Sequence, residues 1–110
     1  MAPRPLQRGA WLALLFAMAV TGAAAQANQE GARLYQAKGC ALCHGKEGRA
    51  PVQPNYPRLD GQNSAYLLRQ MKDIKSGRRD NGESRTMRTI MAFVNETEMW
   101  LIAEYLSRLK

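Results

Sequence analysis

Cys40-Ala41-Leu42-Cys43-His44 is the stretch on which the reading of this chain turns. Two thiols three positions apart, followed at once by a histidine, form the C-x-x-C-H pattern of covalent haem attachment. Each thiol can bond one vinyl group of the same porphyrin, while the imidazole turns toward the iron. Three simpler readings compete: a redox dithiol, half of a zinc site and a structural disulfide. A redox C-x-x-C follows a buried strand in a βαβ unit, and no run of Val, Ile and aromatic residues precedes Cys40. Structural zinc takes four Cys or His ligands, and the chain has 2 Cys and 1 His in all.

Upstream, residues 1–25 read as a secretory leader that is cleaved. Arg4 and Arg8 make a basic start, Ala10 to Val20 is apolar, and Thr21 to Ala25 ends in small residues. The apolar run is too short to span a bilayer comfortably, so no stable membrane anchor is expected. Residues 26–110 then form one small domain with a thin core, and a buried haem would supply the apolar bulk that such a domain lacks. The formal charge of +7 over 110 residues drops to about +5 once Arg4 and Arg8 leave. Nucleic acid is not an expected partner, because the basic residues are scattered and no binding motif is present.

Within the domain, Gln29 to Lys38 predicts a short helix that ends at Gly39. Gly31 and Tyr35, four apart, share a face on which a second helix can come close. Pro51, Pro54 and Pro57 exclude regular structure after His44. An iron-bound histidine donates its free ring N–H to an acceptor, and the Pro57 carbonyl is the candidate. A helix capped by Asn63 or Ser64 runs to Ser76 and stops at Gly77. Its apolar stripe is Leu67, Leu68, Met71 and Ile74, with Arg69, Lys72, Asp73 and Lys75 toward water.

The polar loop Gly77–Arg85 leads to Thr86-Met87-Arg88-Thr89-Ile90-Met91. A thioether opposite histidine keeps the iron low-spin and raises its potential. Met87, where the loop meets the start of a helix, is preferred for that role over Met91, one turn further in. The last helix carries a capping box, Asn95 with Glu98, and a staple of Val94 on Met99. It is expected to cross the first helix at Gly31, under Ile102 or Tyr105. No segment reads as a strand.

With these residues placed, the chain resembles class I cytochromes c of the monohaem, cytochrome c553 and single-domain cytochrome c4 type. The landmarks are Cys40 to Gly45, Pro57-Arg58-Leu59-Asp60-Gly61-Gln62, Tyr66-Leu67 with Gln70, Gly77 to Asn81, Met87-Arg88-Thr89-Ile90 and Ile102 to Leu106. The resemblance implies an all-α cytochrome c fold of about four helices around one covalently bound haem c, with the first and last helices crossing. It implies thioethers at Cys40 and Cys43, axial ligation of the iron by His44 and Met87, and support of His44 by the Pro57 carbonyl. Cytochrome c4 carries two haem motifs and this chain has one.

The expected function is therefore that of a periplasmic one-electron carrier, not an enzyme, whose partners are a redox donor and a redox acceptor with acidic docking surfaces. Lys38, Lys46, Arg49 and Arg88 are the basic residues expected to ring the exposed haem edge. Two alternatives remain. One is an electron-transfer subunit held in a stable complex through Met99, Trp100 and Leu101; the other is a haem ligand binder with an open sixth site.

Overall fold

The structure, a computed structural model, describes residues 2, 3 and 8–110, with side chains from residue 22 onward within the helices. Five α-helices and one 3₁₀ turn follow one another: α1 (Arg8–Ala37), α2 (Cys40–His44), the 3₁₀ turn (Lys46–Gly48), α3 (Ser64–Ser76), α4 (Ser84–Met91) and α5 (Glu96–Ser107). Among the described residues there is no strand, as the all-α reading requires. The helix beyond the expected four is α2, since the cysteine stretch is itself a helical turn. The first helix also begins at Arg8, well before Gln29, because the intervening residues are Ala-rich helix formers without a proline. Arg4, part of the basic start read as a leader, lies outside the described residues. Among the described residues, no helix is long and apolar enough to cross a membrane.

The helix ends follow local chemistry. Gly39 takes a left-handed conformation (φ 82°) directly after α1 and lets the chain turn into α2. Asn63 accepts the Tyr66 N–H at the start of α3, and Gly77 (φ 82°) closes that helix. At α5 both halves of the capping box form: the Asn95 side chain accepts from the Glu98 N–H, and the Glu98 carboxylate accepts from the Asn95 N–H. That second bond, followed by the ion pair with Lys38, holds the Glu98 carboxyl below its ordinary range. Val94 and Met99, the expected staple, are both buried in one core cluster.

That cluster joins the inner faces of α1, α3 and α5: Leu34 and Tyr35, then Leu67, Met71 and Ile74, then Met99, Ile102, Ala103, Tyr105 and Leu106. Burying apolar surface on three faces at once is what holds so small a domain together. The crossing of α1 over α5 occurs at Gly31. A β-carbon there would strike the Leu101 carbonyl and sit 2.7 Å from Tyr105 Cβ. Tyr105 is thus a covering residue, as expected, and its other neighbour is the backbone of Leu101; Ile102 is not among the atoms nearest Gly31. Its Cβ-free surface is required because the α5 backbone itself occupies the space.

Lys75 departs from the expected solvent-facing row of α3. It is half-buried, and its ammonium donates to the Val94 carbonyl. The expected interface of Met99, Trp100 and Leu101 also fails as a surface. Met99 is buried at the staple and Leu101 packs against the core, which leaves Trp100 alone, 48% exposed. Gly31→Val is expected to lower the melting temperature by roughly 10 °C, since overpacking at a backbone contact costs about 3 kcal/mol. Calorimetry of the haem-loaded protein measures this, and an unchanged transition would mean that the helices do not meet at Gly31.

Candidate haem site

The helices close around a cavity of about 380 Å³. Its walls are largely the core itself: Leu67, Met71 and Ile74 from α3, Met91 at the end of α4, Val94 in the turn after it, and Ile102 and Leu106 from α5. Cys40, Cys43, His44, Pro57 and Met87 line the same space. Residues read from distant parts of the sequence thus come to one cavity. Lys38, Lys46, Arg49 and Arg88 do not line it.

The two cysteines lie on the single turn of α2, both half-buried and not joined in a disulfide. Burial pushes the Cys40 thiol up to about 11. A redox-active C-x-x-C has a thiol depressed toward neutrality, the opposite direction to this shift. Among the described residues no group of three or more His, Cys, Asp or Glu could hold a metal ion.

His44 is buried, with Nδ1 3.0 Å from the Pro57 carbonyl oxygen. Burial lowers its pKa, and the contact with Pro57 opposes that shift only in part. The ring is therefore neutral at pH 7. A carbonyl can only accept, so the ring proton belongs on Nδ1 and Nε2 keeps its lone pair. Pro57 can play this part because the proline-bounded segment has no ladder or helix to occupy its carbonyl. That segment is tied back to the motif elsewhere: the Val52 N–H donates to the Cys43 carbonyl at 2.9 Å.

A further support was not legible as such in the sequence. Tyr35, fully buried, donates its hydroxyl to the Gly45 carbonyl at 2.6 Å, one residue past His44. Burial pushes this hydroxyl far up, so it remains protonated and a donor. Gly45 is at φ 81°, and a β-carbon there would collide with the Ala50 backbone. His44 is thus flanked by a pinned ring on one side and a pinned carbonyl on the other. The Gly31/Tyr35 spacing showed a packing role for Tyr35, whereas its hydroxyl partner depends on where α1 ends relative to α2. Tyr35→Phe removes one of two donors to the Gly45 carbonyl, leaving the Gly48 N–H at 3.1 Å, and is expected to cost about 1 kcal/mol in denaturant unfolding. A midpoint equal to wild type would show that water or a shifted backbone replaces the bond.

Helix α4 begins at Ser84, inside the expected loop Gly77–Arg85, so Met87 is the fourth residue of the helix and lies a turn from its start. Met87 and Met91 both line the cavity. They differ in burial: Met91 is 1% exposed and locked among core side chains, whereas Met87 is half-buried at the cavity wall. Phe93 lies beyond the helix and is 77% exposed. At another corner, Arg79 donates to the Gln70 side chain at 2.8 Å, and both residues line the cavity. Gln70 is the one polar residue of α3 to do so between Leu67 and Met71, a break in the apolar stripe that could have marked it.

These walls fit the group that C-x-x-C-H implies. A porphyrin needs an apolar slot, two thiols at one side, a nitrogen lone pair for the iron and a polar corner for its carboxylates. Cys40, Cys43, His44 and the Arg79–Gln70 pair supply them.

Among proteins of known kind, the cytochrome c family model matches residues 28–110. Cytochrome c4 of Pseudomonas aeruginosa is 44% identical over 68 residues, which are 62% of this chain and 33% of that protein. Cytochrome c4 of Azotobacter vinelandii is 37% identical over 82 residues, 74% of this chain and 39% of that protein. Cytochrome c-554(548) of Halomonas halodenitrificans is 32% identical over 68 residues, 62% of this chain and 81% of that protein. The chain thus spans about a third of the length of the cytochrome c4 relatives.

Proposed function

Because the chain belongs to the cytochrome c family, in the class I group of cytochrome c4 type, and carries one covalently attached haem c, we propose that it is a periplasmic one-electron carrier with His44 and Met87 as axial ligands. The observation that carries this reading is the convergence of Cys40, Cys43, His44 and Met87 on one apolar cavity. When bound, the haem supplies the Fe(III)/Fe(II) couple, and every other part is played by the chain.

Cys40 and Cys43 hold the porphyrin through thioethers, so the group stays attached in either oxidation state. His44 offers the Nε2 lone pair, and the Pro57 carbonyl fixes the tautomer and the ring plane. Met87 offers a neutral, polarisable sulfur from α4. The surrounding Leu, Ile and Met side chains keep water from the iron, which favours the less charged, reduced state. Neither ligand has to leave during transfer, so little rearranges.

Encounter with an acidic partner is expected at an apolar rim with a few free cations. Of the four basic residues expected there, Lys38 pairs with Glu98 at 2.9 Å, and Arg49 lies 3.4 Å from Glu47 and 3.7 Å from Asp60. Lys46 and Arg88 make no ion pair among the described residues, so they carry the steering. Export of the chain rests on residues 1–25 being a cleaved leader.

Met87→Ala, exported and loaded with haem, is expected to lose the weak ferric sulfur-to-iron band, while the covalent haem spectrum persists. Its reduction potential should fall by roughly 100 mV or more, since loss of a sulfur ligand removes the main stabiliser of ferrous iron. Retention of the band in Met87→Ala would rule out Met87. A wild-type protein already high-spin would favour the open-site ligand binder.

A further inference from the structure

We propose that Lys38 and Lys75 tether the turn at the end of α4 from two sides, and that this double tether keeps Met87 against the haem. The proposal rests on Met87 being the distal ligand. Its starting point is how little else holds α4. The helix has two turns, and Met91 is its only buried apolar residue; Ser84 is the other buried one. Its N-terminal end follows an exposed polar loop, and the Glu83 side chain caps no backbone N–H there, accepting only from the Thr86 hydroxyl at 3.2 Å. A helix so lightly buried gains little from apolar packing alone.

The other end is different. After Met91 the chain turns, and the N–H groups of Phe93 and Val94 are satisfied by the carbonyls of Ile90 and Met91, both at 3.1 Å. The carbonyls of Phe93 and Val94 are left for other elements. Lys38, between α1 and the cysteine turn, donates its ammonium to the Phe93 carbonyl at 2.8 Å. Lys75, in the last turn of α3, donates its ammonium to the Val94 carbonyl. Two consecutive carbonyls thus receive cations from two separate parts of the fold. Charge-assisted bonds to a carbonyl are stronger than neutral ones, and a cation beside a helix C-terminus gains from the helix dipole as well.

Lys75 makes no ion pair among the described residues, so this carbonyl is its assigned partner. Lys38 also pairs with Glu98, the capping-box partner of Asn95 in α5, which ties the same turn to the next helix. Met87 stands one turn before this anchored end. An outward swing of α4 takes the Met87 sulfur out of the cavity, and a swing that moves the turn breaks both lysine bonds. The tether therefore lowers the population of the opened state without touching the haem.

Cyanide binding to the ferric, haem-loaded protein reads that opened state, because the probe enters only when the distal ligand is off. Lys75→Met and Lys38→Met each keep an apolar stem and lose the donor. Each is expected to raise the cyanide binding rate roughly tenfold, the worth of one charge-assisted hydrogen bond. Lys75→Arg, which keeps a donor, should stay within about twofold of wild type. Glu98→Gln keeps the cap acceptor and the Lys38 bond to Phe93 while removing the ion pair, and it too should stay near wild type.

Wild-type cyanide rates in both methionine variants, with the sulfur-to-iron band intact, would overturn the tether and leave Met87 ligation standing. A rise in Glu98→Gln equal to that in Lys38→Met would assign the effect to the ion pair and overturn it for Lys38. If the wild type lacks the sulfur band, the ligand reading itself fails, and the tether of a ligand falls with it. Should a methionine variant be too unstable to load haem, Lys75→Gln and Lys38→Gln, which retain polarity without charge, decide between the same outcomes.

Discussion

At Gly31 the missing side chain lets α1 come down on the backbone of α5 at Leu101, and the rest of the structure is measured from that contact. Once the two helices cross there, one turn further along α1 the Tyr35 hydroxyl arrives at Gly45, and near its end Lys38 arrives at Glu98 and Phe93. The cysteine turn follows after Gly39 and so starts from a position that the crossing has already set. A side chain at residue 31 would move all three contacts together, because a helix transmits displacement along its axis. The position of His44 therefore depends on a glycine that does not line the cavity.

The second constraint is that the core and the cavity wall are the same residues. Leu67, Met71, Ile74, Met91, Val94, Ile102 and Leu106 belong to the buried cluster and also line the cavity. In a chain of this size there is no second apolar layer to close the fold from behind. The bound porphyrin completes the core, so attachment of the haem and stability of the domain are linked, and a group that binds only the folded chain stabilises it. The hydrogen bonds around His44 likewise run to backbone carbonyls, Gly45 and Pro57, and not to further side chains. Backbone positions in tight turns are defined even where the side-chain core is thin.

Charge is arranged with similar economy. Most carboxylates are committed to pairs, and Asp60 alone serves Arg58 at 2.6 Å and Arg49 at 3.7 Å. Apart from Lys38–Glu98, where both side chains are half-buried, these pairs are exposed on at least one side and contribute little to stability each. Their effect on function is to leave the positive field to the cations without counter-ions, and to free Lys75 for the carbonyl it holds. A positive balance inferred from composition thus becomes a few particular side chains.

The sequence by itself determined the haem attachment turn, the helix ends and the class of fold, because these depend on neighbours a few residues apart. Cys40, Cys43 and His44 are fixed relative to one another by a single helical turn, and Asn63, Gly77, Asn95 and Glu98 act within one turn of their own helix ends. Family landmarks in their order made the reading specific. The tertiary structure alone decided the long-range partners: Tyr35 with Gly45, Lys38 with Phe93, Lys75 with Val94, and Arg79 with Gln70. It also decided that Met99 is core and that Lys38 and Arg49 are paired. Lysine and tyrosine have long side chains whose partner is set by which backbone lies opposite, and no local spacing encodes that distance. Helix crossing at Gly31 brings those backbones together, and only then does a residue of general character acquire a particular role.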